Sequence, residues 1–265
     1  MASIEKVVRP CSLEEAYVLN QERSRVVLGG FMWMKMGNRN IAEAIDLSGL
    51  GLDTIEESGE EFRIGSMCSL RSLELHEGID KEFGGFVRDA LHHIVGVQFR
   101  NGATVGGSVY GRFGFSDVLT CLMALDTYAE LYKGGIVPLK EFAQMKPDTD
   151  ILVRVIIKKD GRKASYQSQR NTRTDFPVIA AAVAVKGDTV YVAVGARPSK
   201  AGLVESTDSG LGQGSTNEEI SKFSDWARDQ FTYGSDMRAG GDYRKHLASV
   251  YIRRGLTELL GGEKA

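Results

Sequence analysis

The sequence predicts a two-domain chain of mixed helices and strands, on three observations. At 265 residues it is long enough for two domains with a substantial core. Short β-rich runs bounded by turn residues are interleaved with stretches of helical apolar spacing along the whole chain. The texture then changes after the turn Lys159-Asp160-Gly161-Arg162. The boundary is therefore expected near Lys158–Arg162, dividing residues 1–158 from residues 159–265.

Each element has a local reason. Ser12-Leu13-Glu14-Glu15 fits a capping box, with Ser12 as N-cap of a helix to about Gln21. Arg25-Val26-Val27-Leu28 reads as a buried strand running into Gly29-Gly30. Phe62–Met67 is a strand and Ser69–Leu75 a short helix behind it. Ile79–Val95 carries Phe83, Phe86, Val87, Ala90, Leu91, Ile94 and Val95 at helical spacing, so one helix is expected. Another helix begins near Ser116 and buries Val118, Leu119, Leu122, Met123 and Leu125. Thr127–Tyr132 and Ile136–Leu139 form a hairpin across Lys133-Gly134-Gly135, and Ile151–Lys159 is a further strand.

Beyond the boundary, Ala164–Asn171 reads as a polar strand. Phe176–Val185, small and apolar, suits either a buried strand or a short helix. Thr189–Gly195 is a strand after the turn Lys186-Gly187-Asp188, and Leu203–Thr216 a surface loop. Helices over Asn217–Phe231 and Asp242–Leu260 close the chain, the last stopped by Gly261.

Composition removes several classes of function. Lys+Arg 33 against Asp+Glu 35 leaves a net charge near −2, which gives no nucleic-acid footprint. Cys11, Cys68 and Cys121 are far apart and form no CxxC, which argues against a disulfide framework, a cysteine-ligated iron–sulfur cluster or a zinc site on this chain. The first residues, MASIEKVVRPCSLEEA, contain acids and no apolar core of a signal peptide. The longest apolar run, Phe176–Val185, is too short to span a bilayer. A cytoplasmic protein is expected.

The stretch Gln98–Asp126 carries the most chemistry. Thr104-Val105-Gly106-Gly107-Ser108 brings two adjacent glycines, whose backbone can approach a bulky ligand and turn N–H groups toward a phosphate. Asp117, nine residues on, opens an apolar helix and suits the diol of a ribose. A tight turn where a strand meets a helix accounts for the same residues equally well. Gly29-Gly30 is a second place for backbone to wrap a phosphate.

Other candidates have plainer explanations. His92-His93 reads as a surface pair, since no second cluster stands at ligand spacing, and His76 and His246 are isolated. Cys68 is a small buried residue, Arg253-Arg254 complements a helix C-terminus, and Glu56, Glu57, Glu60 and Glu61 form a solvated acidic hairpin. Arg112-Phe113-Gly114-Phe115 either packs over a ligand or forms part of a docking face. No catalytic triad, P-loop or metal cluster emerges, and no residue is assigned as catalytic.

Several segments in this order resemble the FAD-binding subunits of the molybdenum hydroxylases, such as those of bacterial xanthine dehydrogenase, nicotinate dehydrogenase and aerobic carbon monoxide dehydrogenase. Val27-Leu28-Gly29-Gly30-Phe31-Met32 is similar to the family's AGGTDL-like segment, and Ile64–Glu74 to its IGAxxTLxxLE-like strand and helix. Gln98–Ser108 followed by Ser116-Asp117-Val118-Leu119 is similar to QIRNxxTIGGNL and the helix after it. Asp236-Met237-Arg238 with Asp242–Leu247 is similar to the closing DxRAxxxYRRHL segment.

The resemblance implies an α+β architecture: a vanillyl-alcohol-oxidase-type FAD-binding fold of two small subdomains, then a C-terminal α+β domain. It implies a first pyrophosphate loop at Val26, Val27, Leu28, Gly29, Gly30, Phe31, Met32 and Trp33, and a second at Thr104, Val105, Gly106, Gly107 and Ser108. Ile94 would lie against the cofactor, Asp117 would hold the ribose, Leu152 would pack near the isoalloxazine, and Gln167 stands where some relatives have a flavin-contacting lysine. Phe31 and Met32 replace the usual Thr/Ser and Asp/Glu, which leaves backbone N–H groups to hold the pyrophosphate; Ser108 replaces the common Asn. It further implies a subunit passing electrons from [2Fe–2S] clusters on a small partner, through FAD, to NAD+ or another acceptor, with molybdopterin on a large partner. The rivals are a self-contained FAD oxidoreductase and a non-catalytic scaffold of the same fold.

Overall fold

A computed structural model describes residues 1–261. The chain begins with β1 (Ser3–Val8), α1 (Leu13–Asn20), β2 (Arg25–Leu28) and β3 (Asn40–Asp46). These strands form a parallel sheet in the order β1-β3-β2. Ser12 caps α1 by accepting from the Glu15 amide, and Glu15 Oε2 in turn accepts from the Cys11 amide. Sequence reading found β2 but neither neighbour. β1 is an edge strand of mostly exposed residues, and in β3 glutamate and asparagine interrupt the apolar positions.

The next unit runs through β4 (Ile55–Glu57), β5 (Glu61–Gly65), α2 (Leu70–Glu74), α3 (Glu77–Glu82), α4 (Phe86–His92) and α5 (Val97–Gly102). It continues with α6 (Val105–Tyr110), α7 (Asp117–Ala124), β6 (Thr127–Leu131), β7 (Gly135–Pro138), α8 (Leu139–Phe142) and β8 (Leu152–Lys158). Its antiparallel sheet has the order β4-β5-β8-β6-β7. The helix expected over Ile79–Val95 is two helices. Gly84 and Gly85 take φ of +59° and +88°, a left-handed turn that ends α3 and redirects α4. The supposed glycine turn at 104–108 is the first turn of α6, capped by Thr104, whose hydroxyl accepts from the Gly107 amide.

The third unit holds β9 (Lys163–Arg170), β10 (Pro177–Lys186), β11 (Thr189–Gly195), β12 (Gly202–Ser206), α9 (Asn217–Asp229) and α10 (Gly241–Leu260). Its antiparallel sheet has the order β12-β11-β10-β9. β10 resolves the ambiguity of the Phe176–Val185 run. Ile179, Ala181 and Val183 face α9 and α10, while Ala182 and Ala184 join the core beneath α7. A strand buried on both faces loses its polar alternation, so periodicity could not separate it from a helix. Alanines on the second face let α7 approach closely, and every residue of α7 is buried.

Three further expectations are corrected. The loop expected from Leu203 begins with β12, a half-exposed edge strand paired to β11. Glu61 is not solvated: it is buried between Arg63 and Lys158, while Glu57 bonds Lys159 at 2.7 Å. Arg253 and Arg254 do not reach the helix end, because α10 continues to Leu260 and has no basic residue in its last turn. Among the described residues, no helix is long and apolar enough to cross a membrane.

Candidate functional site

β2 delivers the chain into Gly29-Gly30 directly above the start of α6, because neither glycine carries a Cβ. A Cβ on Gly30 would lie 1.5 Å from the Gly102 carbonyl oxygen, and one on Gly29 would lie 2.6 Å from Thr104 Oγ1. Gly106 is held as tightly on β5, with Ser66 O at 2.6 Å from its would-be Cβ. These glycines thus serve first to bring two loops and a strand end together, backbone against backbone.

The loops differ in what their amides do. At the second loop Val105 donates to Cys68 O (2.9 Å), Gly106 to Ser66 O (2.8 Å), Gly107 to Thr104 Oγ1 (3.1 Å) and Ser108 to Thr104 O (3.1 Å). The expectation that its glycine N–H groups turn toward a phosphate is therefore corrected: they are spent on the fold. At the first loop, among the described residues, the amides of Gly29, Gly30, Phe31 and Met32 donate to no protein acceptor. Phe31 sits there at φ +57°, a left-handed conformation costly for a residue with a side chain.

The loops border a cavity of about 630 Å³, within the roughly 300–1,000 Å³ common for ligand sites. Val26 through Trp33, Ile94, Thr104, Gly106, Gly107, Ser108, Asp117 and Leu152 all line it. Two expected residues do not. Val105 is fully buried in the core beneath the loop. Gln167 lies on the opposite face of the third sheet, where its amide nitrogen approaches Ser165 and Glu258 of α10 at 3.4 Å. Strand alternation explains this, since Tyr166 and Arg170, on the other face, are the residues that reach Asp117.

Asp117 opens α7, whose N-cap Ser116 accepts from the Leu119 amide. Its Oδ1 accepts from both the Tyr166 hydroxyl and Arg170 Nη2 at 2.5 Å. Burial pushes the carboxyl above its ordinary pKa, against the Arg170 charge and the two hydrogen bonds, which pull it down. The same burial, with the carboxylate beside it, pushes the Tyr166 hydroxyl well up. The Arg170 side chain is 6% exposed, and Nη1 donates to Asp175 O. Among the described residues its Nε has no partner, and neither does the buried Ser66 hydroxyl; both residues line the cavity. Sequence reading missed Tyr166, Arg170 and Ser66. Tyr166 and Arg170 reach Asp117 across 49 and 53 residues of chain, so no local pattern marks them, and Ser66 carried no separate signal.

Phe113 and Phe115, expected either to pack over a ligand or to face a partner, both line the cavity together with Trp33 and Phe176. The remaining candidates keep to structural roles. His92 is half-exposed, with Nδ1 at 3.5 Å from Glu74. Cys68 donates to Thr54 O at 3.1 Å, and burial pushes its thiol up to about 11, away from a reactive thiolate. Among the described residues, no group of three His, Cys, Asp or Glu side chains is placed to hold a metal ion.

Comparison with known proteins points one way. Residues 2–159 match the family described as the FAD binding domain in molybdopterin dehydrogenase. The chain is 25% identical over 255 residues to the uncharacterized protein YgfM of Escherichia coli (strain K12), covering 94% of each. It is similar in fold to a chain of carbon monoxide dehydrogenase from Hydrogenophaga pseudoflava, with TM-score 0.86, 20% identity and coverage of 98% and 99%. It is also similar to a chain of quinoline 2-oxidoreductase from Pseudomonas putida 86, with TM-score 0.84, 17% identity and coverage of 98% and 97%.

Proposed function

Because the chain belongs to the FAD-binding domain family of the molybdopterin dehydrogenases, we propose that it is the flavin subunit of a multi-subunit molybdenum hydroxylase. The observation that carries this reading is the cavity itself. It combines four unspent amides at Gly29–Met32, the buried Asp117, orphaned donors on Ser66 and Arg170, and otherwise largely apolar walls. FAD has matching chemistry, with an anionic pyrophosphate between a ribose-bearing purine and a flat apolar ring system. When bound, FAD would supply the two-electron and one-electron redox chemistry.

The chain's residues then have definite tasks. The Gly29–Met32 amides hold the pyrophosphate, doing alone what a polar side chain at 31 or 32 does in relatives. Thr104, Gly106, Gly107 and Ser108 shape the floor rather than donate from the backbone, and Asp117 accepts from the ribose through the oxygen that Tyr166 and Arg170 leave free. Ile94 and Leu152 pack against the flat ring. Gln167, on the far face of its sheet, takes no part.

In this proposal residues 1–158 are the FAD-binding domain and residues 159–265 a C-terminal flavoprotein domain. The partners are a molybdopterin-binding large subunit and a [2Fe–2S] small subunit, in a cytoplasmic complex of xanthine dehydrogenase type with NAD+ or another acceptor. The fold likeness to chains of carbon monoxide dehydrogenase and quinoline 2-oxidoreductase supports a subunit role over a self-contained enzyme.

The test is flavin content. Both Asp117→Ala and Asp117→Asn remove the charge opposite Arg170, but Asp117→Asn keeps the side-chain shape and an oxygen that can accept from Tyr166 and Arg170, so it is the cleaner variant. It is expected to fold as the wild type by circular dichroism and to retain several-fold less FAD after gel filtration. Unchanged flavin content would remove Asp117 from the site, and a folded wild-type chain that takes up no FAD would overturn the whole proposal.

A further inference from the structure

Aromatic rings from three separate segments meet on the cavity wall beside Asp117. Trp33 lies 5.2 Å from Phe176, edge-on at 87°, 5.5 Å from Phe115 and 6.3 Å from Phe113. Phe113 and Phe115 stack at 5.2 Å and 12°, and Phe115 meets Phe176 at 4.8 Å. The cluster is physically joined to the acid: Phe115 precedes it by two residues, and Arg170 bonds both Asp117 and the carbonyl of Asp175, next to Phe176. Three phenyl rings thus pack around the indole. Trp33 nevertheless remains 45% exposed and Phe113 40% exposed, whereas Phe62 in the core is fully buried. Open ring surface on a cavity wall is ready for a flat ligand to cover.

We propose that Trp33, set on this bed, is the stacking platform for the purine of the bound dinucleotide, so that the chain grips its cofactor by the adenosine half. This rests on the FAD reading and on Asp117 as the ribose acid, since the rings adjoin that residue. It also gives the departure at Phe31-Met32-Trp33 a purpose, because π-stacking takes over from the polar side chains that this loop lacks. A purine suits such a platform because stacking needs only its π-face, and an indole offers the largest partner area of any side chain.

Calorimetric titration of the intact chain with ADP, FMN and FAD separates the two ends of the cofactor. In Trp33→Ala the affinities for ADP and FAD are expected to fall roughly tenfold, with FMN unchanged and Trp33→Phe recovering most of the loss. In a Trp226→Phe background, where Trp33 is the sole tryptophan, saturating ADP is expected to quench its emission, a readout that survives if Trp33→Ala does not fold. Weakened FMN binding with ADP unaffected, wild-type protein that binds FAD but not ADP, or ADP that leaves the emission unchanged would each overturn the platform while leaving the FAD reading standing. A folded wild-type chain that binds no FAD would overturn both.

Discussion

The two glycine loops look alike as sequence and behave differently as structure. Gly29-Gly30 and Gly106-Gly107 are both adjacent pairs flanking the same cavity, and either pair reads as a phosphate cradle. At the second loop the amides of residues 105–108 are consumed by Cys68, Ser66 and Thr104, whereas at the first the amides of residues 29–32 meet no acceptor among the described residues. The second loop is an anchor, and in the proposed reading the first is the binding surface it supports. A glycine pair marks where backbones come close, and only an accounting of each N–H tells whether the approach is to a ligand or to the protein itself.

The sharpest way to break this comparison is to add a methyl group to each loop. Gly30→Ala would put a Cβ 1.5 Å from the Gly102 carbonyl, so the loops would have to part. Loss of soluble folded protein is expected, or a stability loss beyond about 3 kcal/mol in urea denaturation, at the upper end for overpacked sites. Gly107→Ala meets Thr104 Oγ1 at 3.2 Å and Gly29 Cα at 4.0 Å and is expected to fold. If the two variants unfold at the same urea concentration, the close approach of Gly30 to Gly102 is not what holds the first loop against α5.

The anchor has its own ionic clamp. Arg100 donates to both carboxylate oxygens of Glu74, at 2.8 and 3.2 Å, tying α5, which leads into the second loop, to α2; both residues are 3% exposed. Glu74→Ala leaves the guanidinium buried without its partner and is expected to cost about 3–5 kcal/mol. Burial alone would raise the Glu74 carboxyl, but Arg100 and Arg71 more than offset this and hold it below its ordinary value of 4.5. A lowered folded-state pKa stabilises fully above the unfolded value, and that contribution is lost as pH falls through the folded one. Urea midpoints should therefore decline below about pH 4.5 in the wild type, and this acid-dependent part should shrink in Glu74→Gln. An identical decline in that variant would assign the acid sensitivity elsewhere.

The smallest expected effect falls on the α6 cap. Thr104→Ala removes the hydroxyl that occupies the Gly107 amide and is expected to cost about 1 kcal/mol. It frees one donor at the second loop, so FAD retention measured by absorbance should stay equal or rise. A marked fall would mean that the Thr104 side chain itself holds the ligand.

Much of this was legible in the residues, and the failures have physical causes. The strand–glycine junction at 25–30, the α7 cap at Ser116 and the buried acid after it were readable because local chemistry dictates them. Ser69–Leu75 and the 127–139 hairpin were readable for the same reason. The split of Ile79–Val95 was missed because apolar spacing persists across Gly84-Gly85, and only their positive φ reveals the break. Arg170 and Tyr166 were missed because their importance arises across 53 and 49 residues of chain, at a distance no local pattern encodes. The Glu74–Arg100 pair lies inside two of the family-like motifs, yet its structural purpose appears only when α2 and α5 are brought together.

The clasp on Asp117 has a consequence for dissecting the molecule. Its carboxylate belongs to the amino-terminal portion, while the hydroxyl and guanidinium holding it come from β9, past the turn at 159–162. Scissors placed at that turn would yield a fragment whose acid has lost its neighbours and whose α7 has lost the alanine-lined strand it rests on. What looks like a seam along the polypeptide is a weld on the wall of the cavity, and neither piece should be expected to do the work of the whole.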